Sequence, residues 1–344
     1  MNTAKSRVVT QRVFANMRVK KSHVVYLCLV VLCGCMLYHV RSAVQWPTHG
    51  GQRINTNTSA LHTNTTSRLR TCTSSWLPVS QAAQKRIALS FDAAAVSCGS
   101  TCVTFGPYGR LNNFFIALTH AIHKHVLLPD EHATSVIVLD SSTRSRLNLD
   151  AILNYTALQR VCVFTAHVAR TTCTHVPGSE IFHWNLRTPE HRPLYAGIKA
   201  WLLTNGLQRS IHANVERFVH TIDGPYTVLH ARFLEKSCNE RHRRWGLPTD
   251  ICALQPSYIT EALHKLGHGS NRLFVCSDGQ NKDLVSRVLT ATNGSLSPFS
   301  SAIEDMVFML HACAFLGNAV STMSMNMRDV RTVMRVGDPQ TALV

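Results

Sequence analysis

Acidic residues are scarce: 19 Asp and Glu stand against 35 Lys and Arg in 344 residues, a formal charge of +16. Nowhere do two aspartates fall in Asp-x-Asp, the spacing by which a pair of carboxylates commonly shares a divalent cation. Paired Cys-x-x-Cys motifs are missing too, which argues against structural zinc. With 45% hydrophobic and only 16% charged residues, the chain is not a largely disordered one. The positive excess fits nucleic acid, an anionic membrane or a phosphorylated small ligand, besides a merely solvated basic surface. No zinc-finger spacing, basic heptad or RNA-binding signature accompanies it, so nucleic acid is not expected as a partner.

Residues 1–23 form a basic tail (Lys5, Arg7, Arg12, Arg18, Lys20, Lys21) without an acid. VVYLCLVVLCGCMLYHV, residues 24–40, is apolar and just long enough for a membrane span of roughly 17–25 residues. Basic charge ahead of it predicts a cytoplasmic N-terminus and a lumenal remainder. A cleaved signal peptide is the competing reading; it requires a long apolar region and Arg41 at the −3 position of a site near Ser42-Ala43. We favour an uncleaved signal anchor, hence a single-pass type II protein of the Golgi or endoplasmic reticulum membrane. Sequons at Asn57, Asn64, Asn154 and Asn293 fit a lumenal chain. Three of the twelve cysteines lie in the apolar segment; the remaining nine predict disulfides with at least one thiol left over.

Residues 41–85 include INTNTSALHTNTTSRLRTCTSS, which has no hydrophobic period and reads as a flexible stem. Beyond it, short apolar runs alternate with amphipathic stretches. RIALSF, SVIVLD, RVCVFT, YTVLHARF, NRLFVCSD and CAFLGN are the expected strands. NNFFIALTHAIHKHVLL, LYAGIKAWLLTNGL, PSYITEALHKLG, NKDLVSRVL and AIEDMVFMLHA are the expected helices. Such alternation predicts parallel sheets with helices on both faces. Two blocks, residues 86–220 and 221–344, predict an α/β protein of two doubly wound, Rossmann-like domains facing a cleft.

Four stretches carry chemistry. In GPYGRLNNFFIALTHAI (106–122) a Gly/Pro turn runs straight into a helix, with Asn112 as the expected N-cap and Arg110 beside it. This is either a tight connection or a helix start that holds an anion or a sugar. In TVLHARFLEKSC (227–238) an apolar strand ends in His230 and Arg232. Strand ends open onto the ligand crevice of such sheets, and Arg grips phosphate oxygens in pairs. A salt bridge between Arg232 and an acid is the plainer alternative. In EDMVFMLHACAFLGNAVSTMSMNMRDVR (304–331), Gly317-Asn318 leads to Ser321-Thr322 at a helix start, a phosphate cradle or an ordinary cap. Met323, Met325 and Met327 read as core filling. FVCSDG (274–279) places Asp278 at another strand end.

In their order and spacing these stretches resemble the GDP-fucose protein O-fucosyltransferases and their relatives. GPYGRLNN is similar to that group's Gly-Arg-x-x-Asn turn, and HARFLEKSC to its His-x-Arg segment with the Glu-Lys and Cys of plant-type members. FVCSDG and the 304–331 stretch resemble its strand ending in Asp and its Asp…Gly-Asn-x-Val-Ser-Ser/Thr segment. The resemblance covers residues 106–125 and most of 226–331. The His230–Arg232 segment lacks the doubled Arg and the Arg-Gly-Asp continuation found in many fucosyltransferases.

The resemblance implies a GT-B fold, GDP-fucose as donor, inversion at the anomeric carbon and no metal. It puts Arg232 on the departing diphosphate, His230 and Asp305 on guanine or ribose, and Ser321 and Thr322 on the phosphates. Arg110, Asp278 and Asn318 join them as substrate-binding residues, and Asn112 sits near fucose and the acceptor. Glu235 is the candidate general base, with an ion-paired Glu as the alternative. The acceptor is a protein or glycan hydroxyl. Another nucleotide sugar, or a catalytically silent lectin-like or scaffold role, are the competing readings.

Overall fold

The computed structural model describes residues 81–105, 110–127, 135–165, 173–176, 192–232, 240, 243, 255–265, 272–280, 282–318, 321–334 and 341–343. All belong to one unit spanning Arg68–Val344. The basic tail, the apolar segment 24–40 and the Thr/Asn-rich stretch up to residue 80 lie outside the described residues. Among the described residues no helix is long and apolar enough to cross a membrane.

In chain order the main elements are α1 Gln81–Ser90, β1 Thr101–Phe105, α2 Leu111–Ile122, β2 Ser135–Leu139, α3 Ser141–Leu147, β3 Val163–Thr165, β4 Thr174–Val176, α4 Arg192–Thr204 and α5 Arg209–Val219. There follow β5 Tyr226–Ala231, α6 Pro256–Lys265, β6 Arg272–Ser277, α7 Lys282–Thr292, β7 Ser295–Leu296, α8 Ala302–His311, β8 Ala314–Gly317, α9 Thr322–Met334 and β9 Thr341–Leu343. They build two sheets, in the orders β3-β2-β1-β4 and β7-β6-β5-β8-β9. Every pairing in both is parallel, so the mixed α/β class with parallel sheets is what the alternation predicted.

All six residues of β5 are buried, as a central parallel strand covered on both faces requires. Its side chains divide by the two-residue period of a strand. Val228 joins the large core with Phe274, Phe308 and Phe315, while Leu229 and Ala231 meet Ile259, Leu263 and Leu284 from α6 and α7. Edge-to-face rings lock the large core: Phe218 of α5 stands 5.5 Å from Phe299 and 5.7 Å from Phe308. The first sheet, whose longest strands have five residues, is stapled by two disulfides. Cys102 of β1 bonds Cys173 just before β4, and Cys98 bonds Cys162 just before β3.

Two expectations fail. RIALSF is not a strand but the end of α1. Ala83 and Ile87, one helical turn apart, are both buried in the large core, so the helical period wins over the β-formers. Gly197 of α4 permits that packing, since a Cβ there would lie 2.9 Å from the Ser90 backbone. The strand that actually opens the first sheet, TCVTF, was not among those expected. Secondly, Asn112 is not the cap of α2. The Phe114 amide already bonds the Arg110 carbonyl at 3.1 Å, making Arg110 the cap and placing Asn112 inside the first turn.

Helix α9 ties the chain together. It packs on α1, α2 and α4 as well as on α8. Lys199 of α4, buried, pairs with the half-buried Asp329 at 3.1 Å. The Arg86 guanidinium donates to the carbonyl of Met334 at the far end. Arg331, also buried, donates to the Met309 and Ala312 carbonyls at 2.8 Å each, satisfying the exposed end of α8.

Candidate functional site

The carboxyl ends of β5 and β6 lie side by side, with Ala231 opposite Ser277. Each strand therefore delivers its next residue, Arg232 or Asp278, to the same edge. A cavity of about 300 Å³ opens there, lined by Arg110, Asn112, His230, Arg232, Asp278 and Asp305 among others. Six residues singled out from four separate stretches of sequence thus meet in one place. Asn318, Ser321 and Thr322 are not among its lining residues. Glu235 lies outside the described residues.

Arg232 faces Asp278 with Nε 3.9 Å from Oδ2, the two side chains 21% and 13% exposed. Both side chains line the cavity, so the Arg232 charge borders it. Its backbone is fixed from behind, because Asn318 Nδ2 donates to the Arg232 carbonyl at 3.2 Å. His230 is buried and its Nδ1 lies 2.7 Å from Ser324 Oγ. Burial, and then the neighbouring Arg232 charge, brings its imidazole down to about 3. It is therefore neutral at physiological pH, a hydrogen-bonding group and not a counter-charge.

The start of α9 is occupied in two different ways. Thr322 Oγ1 accepts from Asn112 Nδ2 at 2.9 Å, and Asn326 Nδ2 donates to Asn112 Oδ1 at 2.8 Å. Asn112 is thus a strut between α2 and α9, while still bordering the cavity. Ser321 is 1% exposed, yet its hydroxyl has no hydrogen-bond partner among the described residues. A buried, unpaired hydroxyl at the start of a long helix is a donor waiting for an acceptor.

Asp305 stands between two cavities. It borders the first and also a second, of about 510 Å³, whose walls include Val285, Leu289, Leu296 and Phe299 with Lys282 at the rim. Burial, with a small contribution from Glu304, raises the Asp305 carboxyl to about 6, against hydrogen bonds from Ser297 and Cys276 that oppose the rise. An apolar cavity walled on one side by a carboxylate suits a flat heterocycle bearing N–H donors. Ser297, Phe299 and Ser324 carried no signal in the sequence. SLSPFS reads as a turn, and Ser324 hides in the methionine run.

The sequons fall differently. Asn293 is exposed in the turn after α7, in a left-handed conformation with φ 49°. Asn154 is half-buried and caps a short helix, its side chain accepting from the Ala157 amide at 3.3 Å. Asn57 and Asn64 lie outside the described residues. Cys313 is disulfide-bonded as well, and Cys276 is the free cysteine among the described residues.

No protein-family model matches the chain, and no curated protein does. Solved structures do. The crystal structure of POFUT1 in complex with GDP-fucose aligns with 71% of this chain and 97% of its own, at 13% identity and a TM-score of 0.44. POFUT1 in complex with GDP aligns with 72% of this chain and 99% of its own, at 13% identity and 0.45. NodZ alpha-1,6-fucosyltransferase soaked with GDP-fucose aligns with 67% and 93%, at 11% identity and 0.41.

Proposed function

We propose that the chain is an inverting, metal-independent fucosyltransferase of GT-B architecture that moves fucose from GDP-fucose to a hydroxyl of a protein or glycan. The observation that carries this reading is the convergence of Arg110, His230, Arg232, Asp278 and Asp305 on one cavity at the strand ends, beside an apolar cavity sized for a base. The guanine enters the larger cavity, where ionised Asp305 accepts from its paired N–H groups. The diphosphate lies along the strand ends toward Arg232 and the first turn of α9, whose Met323 lines the same cavity. Thr322, already bonded to Asn112, keeps that turn in register with α2.

In the transfer, the acceptor oxygen forms a bond to the anomeric carbon as the bond from that carbon to the β-phosphate oxygen breaks. The electron pair leaves with GDP, and the acceptor proton passes to a base, for which Glu235 is the candidate. Charge grows on the diphosphate during this step. Arg232 drops its long contact with Asp278 and takes up that charge, a fixed cation doing what a divalent metal does in other transferases. Arg110 adds a second positive group from the opposite wall, and Asn112 borders the sugar end. His230, being neutral, hydrogen-bonds the ribose or base without competing for the phosphates.

Residues 24–40 anchor the chain in the Golgi or endoplasmic reticulum membrane in this proposal, with the remainder lumenal and glycosylated. The deciding experiment offers the full chain GDP-fucose, GDP-mannose, UDP-galactose and CMP-sialic acid separately, following thermal stabilisation and hydrolysis. Stabilisation by both guanosine sugars, with hydrolysis of GDP-fucose alone, is the expected result. A response only to a uridine or cytidine sugar would replace the donor, and no response to any would favour a silent relative.

A further inference from the structure

The Asp305 carboxylate is held by two donors that no motif of the sequence identified and that the transfer itself does not use. Ser297 Oγ donates to Asp305 Oδ1 at 2.5 Å. The same Oγ accepts from the Phe299 amide at 3.3 Å, which commits its own proton to the carboxylate. The thiol of Cys276, buried at the end of β6, lines the same cavity as Asp305 and lowers its carboxyl. Burial pushes that thiol well above its ordinary value, so it stays protonated and remains a donor throughout the physiological range.

Two fixed donors on one carboxyl favour its ionised form, since a protonated carboxyl would bring a donor of its own to a place already supplied with them. Burial and the Glu304 charge on the same helix press the other way. Lys282 on α7, Arg110 on α2, and His230, Arg232 and Asp278 at the strand ends line the two cavities that Asp305 joins. Each carboxylate oxygen has two acceptor sites, so two bonds to the protein leave two for a ligand.

We propose that Ser297 and Cys276 are positioning residues that hold the Asp305 carboxylate ionised and oriented as the acceptor for the paired N–H donors of a guanine base. The proposal rests on the placement of the base beside Asp305. It makes base recognition dependent on proton concentration, and it assigns the setting of that dependence to two residues that do not touch the reacting atoms.

The test measures GDP binding to the full chain by calorimetry from pH 5.5 to 8.5, for wild type, Ser297→Ala, Cys276→Ala and Cys276→Ser. Wild-type affinity should fall as the pH drops through about 6, following Asp305. Losing either donor should move that midpoint up by about one unit, so that at pH 6.5 binding is roughly three- to tenfold weaker and at pH 8.5 nearly equal. Cys276→Ser keeps a donor and should keep the wild-type profile. A folded Ser297→Ala protein whose profile overlays that of wild type would overturn the proposal, as would an equal loss at every pH. Ser297 is half-buried and alone decides the matter if Cys276→Ala does not fold. Wild type failing to bind GDP at any pH would remove the placement of the base itself, a failure distinct from unaltered variants of a protein that binds.

Discussion

The two sheets solve the same problem by different means. The first is built from strands of three to five residues and is held by two disulfides that reach into its strand ends. The second has strands of up to six residues, an interlocked set of aromatic rings, a free cysteine in β6 and one disulfide-bonded cysteine, Cys313, just ahead of β8. Chemistry follows the same division. The second sheet supplies His230, Arg232 and Asp278 at its strand ends, whereas among the described residues the first half brings Arg110, Leu111 and Asn112, from a helix start. A site that must place charges to within a fraction of an ångström is set on the sheet whose rigidity comes from packing.

The largest effect that would break this comparison is at Arg232. Arg232→Ala should lower kcat by about 10²–10³ while the fold persists, because the lost interaction strengthens as the sugar–phosphate bond breaks. Arg232→Lys should also be poor, since an ammonium cannot reproduce the two-pronged guanidinium contact. If Lys restores most activity, or if both variants melt far below wild type, Arg232 is simply the partner of Asp278.

Stability should divide the molecule the other way. Replacing Cys98 and Cys162 together by Ala should cost about 2–5 kcal/mol. Hydrogen exchange should then show β1, β2 and β3 losing protection first while β5 and β6 keep theirs. Simultaneous loss in both sheets would mean that the two behave as one cooperative unit.

Asp305 sharpens the contrast between function and stability within the second sheet. Its carboxyl is raised from 3.8 to about 6, so its contribution to stability is full below 3.8 and is lost as the pH rises through 6. At pH 7 the ionised group therefore costs on the order of 1–3 kcal/mol. Asp305→Asn should raise the melting temperature of the ligand-free protein at pH 7, flatten its pH dependence between 4 and 6, and abolish GDP binding. Calorimetric scans across that window check the sign; a variant that melts lower at pH 7 would contradict it. Smallest of all is the effect expected from chelation. Transfer should proceed unchanged in excess EDTA, and a loss restored by Mn²⁺ would show that the positive side chains do not suffice.

Much of the second sheet was legible because its strands are continuous apolar runs bounded by turns, as YTVLHARF and NRLFVCSD are. The site was legible where a charged residue interrupts such a run, as Arg232 does. The first sheet was harder to read. TCVTF is short and half polar, and its place is fixed by a disulfide to Cys173, a partner that no local pattern reveals. RIALSF misled because Ile, Leu and Phe suit a strand, while the burial of Ala83 with Ile87 is a property of the packed helix pair. Asn112 was found but given the wrong local role, since what occupies it is Thr322 and Asn326, more than 200 residues away. Ser297 needed the structure outright. Its importance comes from one hydrogen bond to a carboxylate that a turn sequence cannot announce.

Helix α9 has a consequence for the order in which the chain is made. Trp201 and Phe114, on the helices of the first half, share a core with Met327 and Val330 of α9. The ribosome delivers α9 well over a hundred residues after α4. During that interval the first half stands with an apolar face uncovered and the Lys199 ammonium without Asp329, a condition that invites chaperone binding. A nascent chain stalled before residue 322 is thus left with an exposed surface that only α9 can close.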